Sequence, residues 1–283
     1  MTETRVGIVI PSFNSGTMVA EAAASARECL GGVENIVIVD DGSTDRQSLK
    51  TLGSLQRTGF QVHRQENAGV SAARNYALTH LRTPYAIALD SDDLIEPGAA
   101  SIAADVLDAH DDVVIVTGSG INFSDGASPQ QSAPITPGAL TREDMWRSTM
   151  IATASAFRLK DWHRVGGFPE GVAVGEDWVF WLRLLRGGGR ISTSDAVFVR
   201  HRNHDAQITR GEIDPRESSK AANLVLRENV DLALAHSEDL IDELCRTRTT
   251  LAAYRHAYRR IDQAKVRLKS LGARLRRVQP RQS

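Results

Sequence analysis

The chain has 283 residues, 41% of them hydrophobic and 24% charged, with a formal net charge of −1; this suits a globular protein with room for one large α/β domain, or one domain and an appendage. No apolar run approaches the ~20 residues that a membrane span needs, and the first residues, MTETRVGIVIPSF, lack the basic start and long apolar stretch of a signal peptide. The expected location is the cytoplasm, where Cys29 and Cys245, far apart in sequence, are expected to stay free and buried.

Residues 5–11, RVGIVIP, read as a first buried strand, and 15–30, rich in Ala and Glu, as a helix. A second strand at 35–39 ends in carboxylates, Asp40-Asp41-Gly42-Ser43-Thr44-Asp45, and 46–57 is helical. A short third strand at 60–64 leads to 67–71, NAGVS, which opens a helix carrying Arg74 and Asn75. The fourth strand, 85–89, is an apolar run bounded by turn signals. This β-α alternation, at roughly 25–30 residues per unit, predicts a parallel, doubly wound sheet with right-handed crossovers. The pattern then loosens: a helix at 99–110, a strand at 112–117, a polar loop with three prolines at 124–138, a short helix at 140–150, a strand at 155–158 and a turn at 165–169. Trp178, Trp181, Leu182 and Leu185 follow i, i+3, i+4, i+7 in an amphipathic helix over 176–186. A last strand at 190–199 follows, and from Glu217 the chain is expected to be helical.

The chemistry should lie at two strand ends. Asp40-Asp41 closes the second strand, and Asp90, Asp92 and Asp93 close the fourth. In an open α/β sheet, ligands sit beyond the carboxyl ends of the strands, so these acids are expected to converge on one crevice. Each group alone reads equally as a turn or helix cap, but two on one edge repel unless a cation or amine-rich ligand offsets them. There is no GxxxxGK[ST] cradle, and Gly118-Ser119-Gly120 does not complete a dinucleotide fingerprint. A diphosphate could instead be held through a metal bridge.

Five motifs then occur in order: VIPSFN at 9–14, VDDGSTD at 39–45, NAGVSAARN at 67–75, LDSDD at 89–93, and GGF followed by GEDWVFWLRL within 166–184. Together they resemble the family 2 glycosyltransferases of GT-A fold, over residues 5 to about 205. The resemblance implies an α/β fold, a Rossmann-like, mostly parallel sheet flanked by helices. It divides the chain into a catalytic domain at 1–210, with a nucleotide-binding half at 1–117 and an acceptor half at 118–210, and a helical C-terminal extension at 211–283. It implies an inverting transfer from a nucleotide-diphosphate sugar, a UDP-sugar for preference, to a glycan, glycolipid or other hydroxyl acceptor, with Mn²⁺ or Mg²⁺ as cofactor. Pro11, Phe13 and Asn14 would border the nucleotide, with Phe13 where the family often has Tyr. Asp41 would accept from the base edge, Arg74 and Ser91 would line the nucleotide pocket, Asp90 would hold the ribose and Asp92 the metal. His201 or His204 falls where many relatives place a His near the diphosphate. Asp177 would be the general base, supported on the acceptor side by Glu176 and Trp178.

Inverting displacement needs a base on the acceptor hydroxyl and a stabilised leaving group opposite it. Asp177 suits the first task if burial beside Trp178 raises its pKa; without the other motifs, Glu176-Asp177 reads as an acid pair favoured by a helix N-terminus. Three rivals remain at this stage. A sugar-nucleotide nucleotidyltransferase would carry a glycine-rich loop with a basic residue after the first strand, which SFNSGTMV lacks. A non-catalytic scaffold would have no need of Asp41, Asp90, Asp92 and Asp177, and a hydrolase with two carboxylates would have no need of the Asp41 pocket.

The end of the chain differs from the rest. From Arg246 onward there are twelve Lys or Arg and one acid, Asp262, leaving residues 1–245 with 22 basic against 34 acidic residues, a net of −12. Leu251, Tyr254, Tyr258, Ile261, Lys265 and Leu268 follow 3-4 spacing, Gly272 interrupts it, and Leu271, Leu275 and Val278 continue a helical face. Such a basic amphipathic helix packs on its own domain, forms a homo-oligomeric coiled coil, or lies on an anionic membrane as a peripheral protein of the inner face. Nucleic acid is not expected as a partner, because the body is acidic and no nucleic-acid motif is present.

Overall fold

The computed structural model describes residues 4–125, 130–204 and 214–253. By its contacts the chain divides into two compact units, 1–229 and 230–283.

The first unit is built on the strands β1 (Val6–Ser12), β2 (Ile36–Asp40), β3 (Gln61–Arg64), β4 (Tyr85–Ala88), β5 (Leu94–Ile95), β6 (Val113–Ser124), β7 (Gln130–Gln131), β8 (Ala156–Arg158) and β9 (Arg190–Arg202). The helices are α1 (Met18–Leu30), α2 (Arg46–Arg57), α3 (Val70–Leu78), α4 (Ala99–Ala109), α5 (Leu159–Val165), α6 (Glu176–Leu185) and α7 (Pro215–Glu228). Strand order is β3-β2-β1-β4-β8-β6-β9-β5, with β7 paired to β6. Strands β3, β2, β1 and β4 run parallel, as the β-α alternation predicts. Every residue of β1, β2 and β4 is buried, as expected of strands covered by helices on both faces.

The second half departs from the simple pattern. Strand β8 lies antiparallel to both β4 and β6, so β6 again runs in the direction of β4. Strand β6 continues well past the predicted end at 117 and pairs with β9 over most of its length, with register shifts between Val113 and Ile115 and between Thr117 and Gly120. The glycines that read as a strand end serve a close approach: a Cβ on Gly118 would lie 2.2 Å from the Phe198 ring. The short helix expected at 140–150 is only a 3₁₀ turn at Asp144–Trp146, while α5 occupies residues that carried no helix prediction. Helix α7 follows the strand region within the first unit, past the boundary of 210 expected from the motifs.

Under the β8–α6 region lies an aromatic cluster. Phe168 stacks on Phe180 at 4.0 Å between ring centroids, and Phe157 meets Phe180 edge-on at 5.1 Å. Burying such side chains stabilises the fold by roughly 1.5–3 kcal/mol each, which anchors the N-terminal end of α6.

The second unit begins with α8 (Val230–Ala235) and is helical again over 237–253. The expected seam from Tyr254 to Leu268, Gly272 and the face through Val278 lie outside the described residues. Both cysteines are free, but Cys29 is only partly buried and Cys245 is exposed. The expectation of two buried thiols fails because, among the described residues, the helix that carries Cys245 has no layer over it. No described helix is long and apolar enough to cross a membrane.

Candidate active site

The carboxyl ends of β1, β2, β4 and β6 open on a cleft of about 1350 Å³. Of the residues singled out from the motifs, Pro11, Phe13, Asn14, Asp41, Arg74, Asp90, Ser91, Asp92, Glu176, Asp177, His201 and His204 all line it. Trp178 does not; its indole N–H donates to the Met145 carbonyl at 2.6 Å and braces the 3₁₀ turn.

The nucleotide-side wall is a set of locked loops. Asn14, the single non-glycine residue with positive φ (50°) among the described residues, accepts from the backbone N–H of Thr44 at 2.8 Å and of Asp45 at 3.1 Å. Its own N–H donates to Ser43 Oγ. Asn14 thus ties the loop after β1 to the loop after β2, and Asn tolerates the left-handed region because its side chain bonds locally. Asp45 caps α2 by accepting from Ser48 N–H at 2.8 Å. Asp40 points away from the cleft, accepting from Ser43 N–H and pairing with Arg64; the expectation that both acids of this pair face the crevice is corrected, because adjacent residues at a strand end point to opposite sides. Asp41 does face the cleft, and its carboxylate accepts from Gln65 Nε2, Ala68 N–H and Gly69 N–H at 2.8–2.9 Å. It thereby fixes the NAG turn that starts α3. Ser91 shares a 2.6 Å hydrogen bond with Ser15, and Ser15 accepts from Ser12.

Arg74 occupies the centre. It is buried, and it donates to Asp90 Oδ1 at 2.6 Å and to Glu176 Oε1 at 2.7 Å, with its guanidinium 5.2 Å above the Phe168 ring. Burial alone would lower its pKa, but Asp90 and Glu176 raise it above the ordinary arginine value. One side chain therefore joins the end of β4 to the first turn of α6. Asp177 is the next residue, yet among the described residues no cation pairs with it; its Oδ1 accepts from the Trp178 N–H at 2.8 Å. Burial first, and the neighbouring Glu176 second, push its carboxyl up to about 6.

The two histidines separate. His201 Nδ1 meets Asp93 Oδ2 at 2.7 Å, and Asp93 also accepts from the Arg202 N–H at 2.9 Å. Burial raises the Asp93 pKa despite His201; for His201, burial works downward but Asp93 holds the imidazole above its usual value. His204 Nε2 instead meets Asp92 Oδ2 at 2.9 Å. Among the described residues no three His, Cys, Asp or Glu side chains form a set able to hold a metal alone. Asp92 and His204 offer one hard oxygen and one imidazole nitrogen on the cleft wall. That donor set fits a divalent cation shared with a phosphate ligand, since such ions commonly take one or two protein ligands and complete their shell from substrate.

Sequence reasoning missed several residues. Arg202 bonds the Asp92 carbonyl, Asp125 and Glu21, and so fixes the acidic loop from behind; it lies between the two histidines and carried no motif signal of its own. Asn75 accepts from Trp162 Nε1 and Phe168 N–H and donates to the Phe168 carbonyl, so the last residue of NAGVSAARN holds the GGF turn. Ser71 lines the cleft, and its buried hydroxyl has no hydrogen-bond partner among the described residues.

A family model described as "Glycosyl transferase family 2" matches residues 7–166. The chain belongs to glycosyl transferase family 2. An uncharacterized glycosyltransferase of Rickettsia felis is 24% identical over 209 residues, covering 71% of this chain and 35% of that protein. The poly(ribitol-phosphate) beta-N-acetylglucosaminyltransferase TarS of Staphylococcus aureus is 26% identical over 255 residues, covering 84% of this chain and 43% of TarS. The chain thus spans between about a third and less than half of the length of these two relatives. The crystal structure of TarS 1-349 in complex with UDP-GlcNAc superposes with a TM-score of 0.65 at 21% identity, over 79% of this chain and 66% of that one. The mannosyltransferase PcManGT of Pyrobaculum calidifontis, in complex with GDP-Man and Mn²⁺, gives 0.54 at 17% identity, over 88% and 80%. These likenesses establish the GT-A fold expected from the family 2 motifs.

Proposed function

We propose that this chain transfers a sugar from a UDP-sugar to an acceptor hydroxyl with inversion, in building a cell-envelope polysaccharide or glycolipid, from the cytoplasm or the inner face of the membrane. The observation that carries this reading is Asp177: a carboxyl raised to about 6, with no cation paired to it among the described residues, and next to the residue that Arg74 ties to Asp90. A base with a pKa near the working pH is ionised yet still basic enough to take a proton. Asp177 would take the proton of the acceptor hydroxyl as its oxygen bonds to the anomeric carbon and the bond to the diphosphate breaks on the opposite face. Arg74 holds Asp90 for the ribose and neutralises Glu176, whereas Asp177 has no cation paired with it among the described residues. Pro11, Phe13, Asn14 and Asp41 would border the base, and Ser91 would lie beside the ribose and diphosphate.

Mn²⁺ or Mg²⁺ would be held by Asp92 with His204, and its chemistry when bound is to neutralise charge on the departing diphosphate. His201 also lines the cleft; Asp93 orients it through Nδ1, which leaves Nε2 as a second candidate ligand to the same cation. The UDP-GlcNAc complex of TarS and the Mn²⁺ complex of PcManGT support the donor class and the cation. The names of TarS and of the putative teichuronic acid biosynthesis glycosyltransferase TuaG support the envelope setting.

The experiment is turnover of a panel of sugar nucleotides by the full chain with Mn²⁺, wild type beside Asp177→Asn. The variant should bind UDP as the wild type does and lose ~10²–10⁴-fold in kcat, the range for removing a general base. Near-normal kcat in the variant would remove Asp177 from the chemistry. Binding of sugar nucleotides with no turnover by the wild type would overturn the transfer itself.

A further inference from the structure

The lining of the cleft is unevenly charged. Six carboxyl side chains face it, Asp41, Asp90, Asp92, Asp93, Glu176 and Asp177, against one guanidinium, Arg74, among the described residues. That guanidinium is already shared between Asp90 and Glu176. The stretch from 118 to 175 supplies the wall away from the nucleotide-side loops, and none of its described residues that line the cleft is charged. Lys220 reaches the Gly171 carbonyl at 3.5 Å but pairs with Glu217 at 2.8 Å.

Two large apolar side chains stand open on this uncharged wall. Ile135 is 61% exposed and Met150 53%, although both line the cleft. Ile135 is held in place: its N–H donates to the Gly120 carbonyl at 2.8 Å, and its carbonyl accepts from the Gly120 N–H at 3.0 Å. Met150 precedes Ile151, whose buried side chain anchors the segment. Phe13 is likewise exposed and on the cleft, but in the proposed reading the base covers it. Ile135 and Met150 have no such cover, and a fixed apolar lip on a binding cleft marks what the cleft receives.

We propose that the acceptor is an uncharged sugar with an apolar aglycone, its hydroxyl at Asp177 and its aglycone on Ile135 and Met150; this rests on the transfer reading above. A chain of repeating phosphates or uronates is recognised by Arg and Lys. This wall offers neither among the described residues, and the six carboxyl groups repel such a chain. A cation at Asp92 would be taken up by the diphosphate of the donor. An apolar aglycone needs no counter-charge, and it gains by removing Ile135 and Met150 from water.

The test is calorimetry on the full chain with three probes: methyl β-glucoside, octyl β-glucoside below its micelle-forming concentration, and poly(ribitol phosphate). The octyl glucoside is expected to bind at least ~10-fold more tightly than the methyl glucoside, the gain from burying about two methylene groups. Ile135→Ser with Met150→Gln should abolish that difference without lowering the melting temperature. Poly(ribitol phosphate) should bind no better than the methyl glucoside. Equal binding of the two glucosides, a preference that survives in the double variant, or tighter binding of poly(ribitol phosphate) than of octyl glucoside would each overturn the proposal. Adding sugar nucleotides with Mn²⁺ separates this inference from the reading it rests on. The octyl preference in binding with no transfer from any of them would remove the transfer and leave the apolar subsite. Transfer that favours poly(ribitol phosphate), or that ignores the aglycone, would keep the transfer and remove the subsite.

Discussion

Glu176 and Asp177 are adjacent carboxylates with opposite fates. Glu176 receives the Arg74 guanidinium, and Asp177 receives one backbone N–H. A folded-state pKa near 6 against an ordinary value of 3.8 means that folding disfavours the ionised form. The cost is absent below about pH 4, grows as pH rises from there, and is complete above about 6. Asp177→Asn keeps the hydrogen bond from Trp178 and removes the charge, so it should stabilise the protein at pH 8 by about 1–2 kcal/mol, discounted for the group's partial exposure. Thermal melts of both proteins at pH 8 and pH 4 check this: the gain should vanish at pH 4, and an equal gain at both would mean that the Asp177 charge is not its source. Turnover by the wild type should rise with pH through about 6 for the same reason. At this scale the motifs located the acids well. What they did not carry is which acid is spoken for, since a neutralising partner such as Arg74 lies about a hundred residues from Glu176 in sequence.

At the scale of elements, the residues that read as breaks are places where two parts of the chain come close. Gly118 follows a run of β-branched residues and reads as a strand end, yet β6 passes through it because Phe198 fills the space of its side chain. Gly167 read correctly as a turn, but its function was not legible. It has φ of +79°, and an added Cβ would lie 2.6 Å from Asn75 Oδ1 and 2.9 Å from Trp162 Nε1, the two atoms that hydrogen-bond across this turn. Gly167→Ala should therefore destabilise the protein by about 2–4 kcal/mol, from the left-handed conformation and the displaced hydrogen bonds together. Urea unfolding of both proteins measures it; a midpoint within error of the wild type would show that the turn relaxes freely. Strands β1, β2 and β4 are legible because each is a largely apolar run with a helix-period segment after it, whereas β3, QVHR, is legible only from its place in the β-α alternation. The short strand β8 and the 3₁₀ turn at Asp144–Trp146 were harder to read, because so few residues give no period to detect, and antiparallel insertion between two parallel strands leaves no local mark.

For the whole molecule, the cleft has two walls of different origin. The wall from 11 to 93 is an assembly of loop-to-loop hydrogen bonds, and it meets the other wall through Arg74. The proposed cation joins Asp92 of the first wall to His204, which follows β9. UDP binding by the wild type should weaken on metal removal by at least ~10-fold, or about 1.4 kcal/mol, whereas Asp92→Ala should bind UDP weakly and equally with and without Mn²⁺. Calorimetry on both proteins decides it, and a metal-insensitive wild type would place the diphosphate on protein groups alone.

The reversed direction of β8 has a consequence for how such a molecule can diverge. Strands β1, β2, β4 and β6 reach the cleft at their ends, whereas β8 leaves it, so the segment 149–153 on the rim precedes its strand. Arg158, at the far end, is fastened to the carbonyls of Leu107, His110 and Val113, and that fastening holds the strand in place whatever length of chain leads into it. The described residues 130–153 are tied in separately, by β7 on β6 and by the Met145 carbonyl under Trp178, so exchanging this stretch as a block should leave the register of the nucleotide-side strands unchanged. One half of the cleft is free to drift in shape while the other stays constant, and a graft of that stretch alone is the economical way to redirect what the protein accepts.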